Sequence, residues 1–231
     1  MSAPSSPNIF DQWDTYHKVV AANFMFHREI AEALRRALKA RFSGRRPAFL
    51  DLGCGDATAL APVLRDQAPS RYKGVDLSET ALELAARELA DLPCPVTLTH
   101  GDILEALDED YSYDVIHSSF VLHHLPTEQK AEFFRRSARR LAPDGLLLLV
   151  DVVREEDESL DDYLRRYCGW LCRDWTGLSA REFDAICDHI VNKDMPESYS
   201  TLLALARAAG LKEAPGGVHY GAHRLVCFAR G

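Results

Sequence analysis

Two carboxylates bracket two glycines in Asp51-Leu52-Gly53-Cys54-Gly55-Asp56, and this spacing is the strongest chemical signal in the chain. Glycines let the backbone turn tightly and approach a ligand where a Cβ would intrude. Gly53-x-Gly55 alone would suit any nucleotide, but Thr58 stands where the dinucleotide fingerprint needs its third glycine. A pyrophosphate docked at this turn would meet Asp51 and Asp56 at close range, whereas a ligand bearing an ammonium and a sulfonium would be attracted. That ligand is S-adenosylmethionine. Asp76, roughly 20 residues beyond Gly55, is placed to accept from both ribose hydroxyls, and Asp102 to accept from the adenine amino group. Each acid alone reads as a solvated strand end. Three acids at the ends of three successive strands point instead to a ligand crevice.

Methyl transfer from a sulfonium is an in-line displacement, so the protein's main task is to align the nucleophile and exclude water. A protonated nucleophile also needs a base, and His189, His124, His27 and His123 are the imidazoles in candidate positions. Each has a competing reading as a packed or capping side chain. Tyr16, Phe24, His123, Tyr167 and Trp175 are candidates to wall the acceptor pocket, although aromatics at helical spacing also build cores. Cys168 and Cys172 sit four apart on a helical pattern, but no second close Cys or His pair completes a zinc site, and no metal is expected.

These residues are carried by alternating strand and helix patterns. A helical stripe, Val19, Val20, Phe24, Phe26, Ile30, Ala33 and Leu34, spans residues 10 to about 41 and reads as a lid before the nucleotide site. Strands follow at 47–50, 72–77, 95–99, 113–118 and 146–153, with Ser78 and Thr127 as helix N-caps and Pro143-Asp144-Gly145 as a turn. Segments 211–220 and 223–229 are too close for a helical crossover and must pair antiparallel. The stretch from Arg154 to Gly210 exceeds one crossover helix and predicts a helical cover over the ligand edge. The expected divisions are a loose tail over 1–9 and one methyltransferase domain over 10–231. Within it lie a lid over 10–45, a cofactor-binding core over 46–153, a cover over 154–210 and a strand pair over 211–231.

Four ordered segments, Asp51 to Asp56, Gly74-Val75-Asp76-Leu77-Ser78, Gly101-Asp102-Ile103 and Tyr113-Asp114-Val115-Ile116 followed by Leu122-His123-His124-Leu125, resemble the motifs of class I S-adenosylmethionine-dependent methyltransferases. The resemblance implies an α/β fold, a Rossmann-like doubly wound sheet of seven strands with only the last antiparallel. It implies cofactor contacts at Asp51, Gly53, Gly55, Asp76, Leu77, Asp102, Ile103 and Ser118. The flanks resemble the methyltransferase module of ovothiol biosynthesis, which methylates an imidazole nitrogen of a thiol-bearing histidine. They are Trp13-Asp14-Thr15-Tyr16, Asn23 to Glu29, Arg173-Asp174-Trp175, Asp188-His189 and Asp194-Met195-Pro196-Glu197.

Composition narrows the partners. The 231 residues carry a formal charge of -8, so no basic surplus exists to neutralise nucleic-acid phosphates. Ser118 to His124 also lack the Asn/Asp-Pro-Pro-aromatic pattern of enzymes that methylate base amino groups, and the double-glutamate loop of arginine methyltransferases is not visible. A small-molecule acceptor is the expected class. The longest apolar stretch is too short to span a bilayer, and six scattered cysteines with no leader pattern predict a cytoplasmic protein with free thiols. Other small amine, thiol or carboxylate acceptors, a cofactor-binding regulatory protein, and a nicotinamide oxidoreductase disfavoured by Asp51, Asp56 and Thr58, are the rival readings.

Overall fold

The computed structural model describes residues 13–231, with side chains from residue 15 onward, so the tail expected over 1–9 lies outside the described residues. The helical stripe is not one helix. Helix α1 (Trp13–Ala22) ends at a turn, and α2 (His27–Phe42) starts after it, because Asn23 (φ 59°) and Phe26 (φ 58°) both adopt the left-handed conformation. Asn23 suits that role: its Oδ1 accepts from the Arg28 amide at 2.9 Å and its Nδ2 donates to Glu29 at 2.7 Å, capping the new helix. For Phe26 the conformation costs about 1–2 kcal/mol. Stacking on Tyr220 (centroids 5.2 Å apart) and Trp170 (6.5 Å) offsets that cost, at roughly 0.5–1.5 kcal/mol per aromatic pair.

The chain then alternates. β1 (Ala48–Leu52), α3 (Ala61–Gln67), β2 (Arg71–Asp76), α4 (Glu79–Glu88), β3 (Val96–His100), the short α5 (Ile103–Ala106) and β4 (Tyr113–Ser119) follow one another. After a single 3-10 turn at Leu122–His124 come α6 (Thr127–Arg140) and β5 (Leu141–Val152). Then α7 (Leu160–Asp174), α8 (Ala180–Lys193) and α9 (Tyr199–Ala208) precede β6 (Leu211–Tyr220) and β7 (His223–Arg230). The strands form one sheet in the order β3-β2-β1-β4-β5-β7-β6, in which β7 runs antiparallel to both neighbours. The expected turn at Pro143-Asp144-Gly145 becomes a bulge inside a longer β5: pairing with β4 steps from Tyr113–Leu141 to Val115–Leu146. No helix among the described residues is long and apolar enough to cross a membrane.

Why near-continuous apolar strands fit is visible in the layers, since a parallel sheet covered on both faces has no polar side to present. Phe49, Tyr72, Val115, Leu148 and Val150 face α2 and α3, burying Leu34, Leu38, Phe42 and Leu64. Leu50, Val75, Ile116, Leu147 and Leu149 face the other way, onto Phe133 and Phe134 of α6 and Leu202 of α9. A third cluster joins Val19 of α1 to Tyr163, Tyr167 and Leu171 of α7, Trp175, and Ile186 and Ile190 of α8. The inserted helices thus roof the carboxyl edge with α1. Strand order reverses between β1 and β4, and a crevice opens there at the carboxyl ends of the strands.

Candidate functional site

The glycine turn lines a cavity of about 640 Å³ at this switch point. Gly53 (φ 76°) and Gly55 (φ 54°) are left-handed, and a Cβ on Gly53 would lie 2.2 Å from Val121 Cγ2. Gly53 is therefore required by both conformation and space. Asp76 holds the turn from beneath: its Oδ2 accepts from the Gly55 amide at 2.8 Å and its Oδ1 from the Ser78 amide at 2.9 Å. Burial raises its pKa, and those amide bonds act against the rise. Asp51 is buried and accepts from the Tyr72 hydroxyl and from His117 Nδ1, both at 2.7 Å. Asp56 accepts from the Thr58 amide (3.0 Å) and hydroxyl (2.9 Å), and it pairs with His17 Nε2 of α1 at 2.7 Å.

The field of these acids is legible in their neighbours. The Tyr16 hydroxyl is pushed far up by burial and then by Asp56, Asp51 and Asp76, and the Cys54 thiol by burial and then by Asp51 and Asp76. A cavity that penalises new anions this way favours a cationic guest over a pyrophosphate. Burial also lowers His27 to about 4, so its imidazole stays neutral beside the cavity at working pH.

A second cavity of about 140 Å³ is lined by Thr15, Tyr16, Val19, Met25, Phe120, His123, His124, Val152, Tyr167, Trp175, Ile186, His189, Ile190 and Asp194. Tyr16, Phe120 and His124 line both cavities. Phe120, directly after β4, is left-handed (φ 56°) with its amide bonded to the Val150 carbonyl at 2.8 Å. A strained aromatic at the junction fits the tendency of functional sites to hold such conformations. His123 is fixed by Asp151 at the end of β5, which accepts from its Nδ1 and from its amide (3.1 Å). Asp194 is delivered by an anchored segment. The Met195 amide donates to the His123 carbonyl at 2.7 Å, Lys130 donates to the Met195 carbonyl, and Arg154 Nε donates to the Pro196 carbonyl at 2.7 Å. Thr127, expected to cap α6, instead donates to Glu197 at 2.6 Å, and Pro126 takes the cap position.

Of the residues singled out in the sequence, Asp51, Gly53, Gly55, Asp76, Leu77, Asp102, Ile103 and His27 line the larger cavity, and Tyr16 and His124 line both. His123, His189, Tyr167 and Trp175 line the smaller one. Two further residues, Ser118 and Phe24, stand off the cavity walls. Ser118 is fully buried, with its hydroxyl donating to the Leu52 carbonyl at 3.0 Å, so strand alternation gives the wall to His117 and Ser119 instead. Phe24 stacks on Trp175 (5.0 Å, 9° between planes), and Trp175 and Met25 line the smaller cavity. Asp102 reaches the cavity while its Oδ1 caps α5 through the Leu104 (2.7 Å) and Glu105 (3.3 Å) amides. His17, His117, Phe120, Asp151 and the placement of Asp194 against His123 were not read from the sequence. A histidine directly after the apolar pair Val115-Ile116, inside a buried strand, was the available signal for His117.

A sheet in this order with one reversed strand, and an acid-lined glycine turn at its switch point, are the architecture of class I S-adenosylmethionine-dependent methyltransferases. Residues 50–147 match the family described as a methyltransferase domain. An uncharacterized methyltransferase of Bacillus licheniformis is 26% identical over 68% of this chain and 72% of its own length. Among solved structures, a mitomycin 7-O-methyltransferase superposes with a TM-score of 0.61 at 23% identity, covering 95% of this chain and 60% of that one. The magnesium protoporphyrin IX methyltransferase of Synechocystis, solved with bound SAH, superposes at 0.62 with 16% identity, covering 99% and 90%. These likenesses establish the shared fold, and the acceptor is a separate question.

Proposed function

We propose that the protein transfers the methyl group of S-adenosylmethionine to a heteroatom of a small acceptor held in the 140 Å³ cavity, a thiol-bearing histidine-type amino acid being its most specific form. The observation that carries this reading is the common wall of Tyr16, Phe120 and His124 between an acid-lined cavity and an aromatic, imidazole-lined one. Asp76 takes the ribose, Asp102 the adenine amino group, Leu77 and Ile103 flank the base, and the Asp51–Asp56 turn cradles the methionine end. The acceptor's lone pair attacks the methyl carbon as the carbon–sulfur bond breaks, its electrons return to sulfur, and S-adenosylhomocysteine leaves. Neutral His27 lets a sulfonium sit nearby without repulsion. His124 is the imidazole lining both cavities, and Tyr167 and Trp175 enclose the acceptor.

The segments 10–45, 46–153, 154–210 and 211–231 act as lid, cofactor unit, cover and closing hairpin of one domain. All six cysteines are free, which supports a reducing compartment such as the cytoplasm. The test is mass spectrometry of amino acids, thiols and amines incubated with protein and S-adenosylmethionine. A mass gain of one CH₂ unit on a histidine-type thiol is expected. Gain only on another acceptor overturns the specific form, and no gain on any compound overturns the small-acceptor reading.

A further inference from the structure

The smaller cavity has an unusual floor. His124 Nδ1, His123 Nε2 and His189 Nε2 lie 3.4, 3.8 and 4.0 Å from one oxygen, Oδ1 of Asp194. Hydrogen bonds between such groups would close to about 2.7–3.2 Å, so all three separations are too long for direct bonding. Donor atoms about 2.0–2.1 Å from a tetrahedral ion, however, stand roughly 3.3–3.4 Å apart. The spacings to Asp194 are close to those of donors that share one ion, and the ligand atoms of His123, His124 and Asp194 all lie within 4.8 Å of one another.

Two independent observations point to the same place. Asp194 is only 6% exposed, yet its Oδ1 has no hydrogen-bond partner among the described residues, and neither does His124 Nδ1. A buried carboxylate oxygen left so is costly unless something positive meets it. His123, meanwhile, has its Nδ1 bound to the buried Asp151 carboxylate, which directs Nε2 into the cluster. A carboxylate on the far ring nitrogen is the outer support that metal-binding imidazoles characteristically have.

We propose that His123 Nε2, His124 Nδ1 and Asp194 Oδ1, with His189 beside them, bind one divalent ion of the zinc class. Imidazole nitrogens with one carboxylate oxygen suit such borderline cations rather than calcium or magnesium. Three protein donors leave a coordination position facing the cavity, the open arrangement of sites that bind a substrate atom. That position holds the acceptor's nitrogen or sulfur beside the cofactor, a step that rests on reading this cavity as the acceptor site. The ion-binding claim does not depend on it.

Cobalt(II) is the probe. The 231-residue protein, stripped with chelator, is titrated with Co²⁺, and one saturable equivalent with the visible absorption of low-coordinate cobalt is expected. Asp194→Asn, which preserves shape, should lose at least tenfold in Co²⁺ affinity, and Asp151→Asn about 10- to 100-fold through loss of the outer support. S-Adenosylhomocysteine affinity and melting temperature, measured on the same variants, report whether the fold and cofactor site survive. No saturable cobalt binding, or Asp194→Asn binding as tightly as wild type, overturns the site. A cobalt spectrum that shifts on adding the acceptor identified by mass spectrometry supports its coordination, and an unmoved spectrum overturns that step while leaving both the ion site and the methyltransferase activity standing.

Discussion

Losing the Asp76 carboxylate removes two contacts at once, because it holds the Gly55 and Ser78 amides as well as facing the cavity. Charge-assisted bonds contribute roughly 1.5–3 kcal/mol each, so Asp76→Ala should weaken S-adenosylhomocysteine binding by about tenfold or more by titration calorimetry. Unchanged affinity would remove Asp76 from the cofactor site. Asp51 behaves differently. Its two donors, Tyr72 and His117, hold it below the turn, so Tyr72→Phe should mainly cost stability. Leaving a buried carboxylate short of one donor costs about 1–3 kcal/mol, which in a chain of this size lowers the melting temperature by about 2–4 °C per kcal/mol. A melting curve coincident with wild type would show that the hydroxyl is not needed there.

At the scale of elements, the segment that delivers Asp194 hangs on α6 through one buried cation. Lys130 is 1% exposed and reaches both the Met195 carbonyl and Glu197 (3.1 Å). Breaking such a pair from one side costs about 3–5 kcal/mol, so Lys130→Met should lower the melting temperature by about 6–20 °C. It should also raise the acceptor KM while S-adenosylhomocysteine affinity holds. A change in cofactor affinity alone would contradict this division of labour. The strands from Phe49 to Val153 were legible because short β-rich runs between helical patterns keep their meaning whatever packs on them, and the first three also end at Gly or Asp. The break at Asn23–Phe26 was not, since the apolar stripe continues through it and only the left-handed backbone interrupts the helix. Nor was the grouping of His123, His124 and Asp194, which depends on how a loop after α8 returns to β5 and α6. Where Ser118 and Phe24 lie was not legible for a related reason: one turns on strand parity and the other on the register of a helix end.

Across the whole molecule, buried neutral histidines tie stability to pH. His27 and His223 are both lowered to about 4, chiefly by burial. His27 lies against Tyr16 and Phe120 with Asp56 nearby, and His223 against Tyr167, Phe26 and Trp170. Unfolded, each would titrate near its ordinary 6.5. Below that pH the unfolded chain takes up protons that the folded chain refuses, so their stabilising contribution is complete above about 6.5 and is lost as pH falls towards about 4. His27→Gln should flatten the fall in melting temperature over that interval. An equally steep profile in the variant would assign the dependence to other groups.

Tyr16, Phe120 and His124, each touching both cavities, also impose a thermodynamic symmetry. Whatever free energy the cofactor contributes by settling these three side chains for the acceptor, the acceptor must return to the cofactor, because coupling between two binding sites is reciprocal. The substrate and product forms of the cofactor differ by one methyl group and one positive charge, which the proposed binding mode sets against these three residues. Acceptor affinity should therefore differ between complexes with S-adenosylmethionine and S-adenosylhomocysteine, and the methylated product should shift the competition between the two cofactor forms by a factor set at the same wall. A single turnover would thus reset the preferences of both cavities.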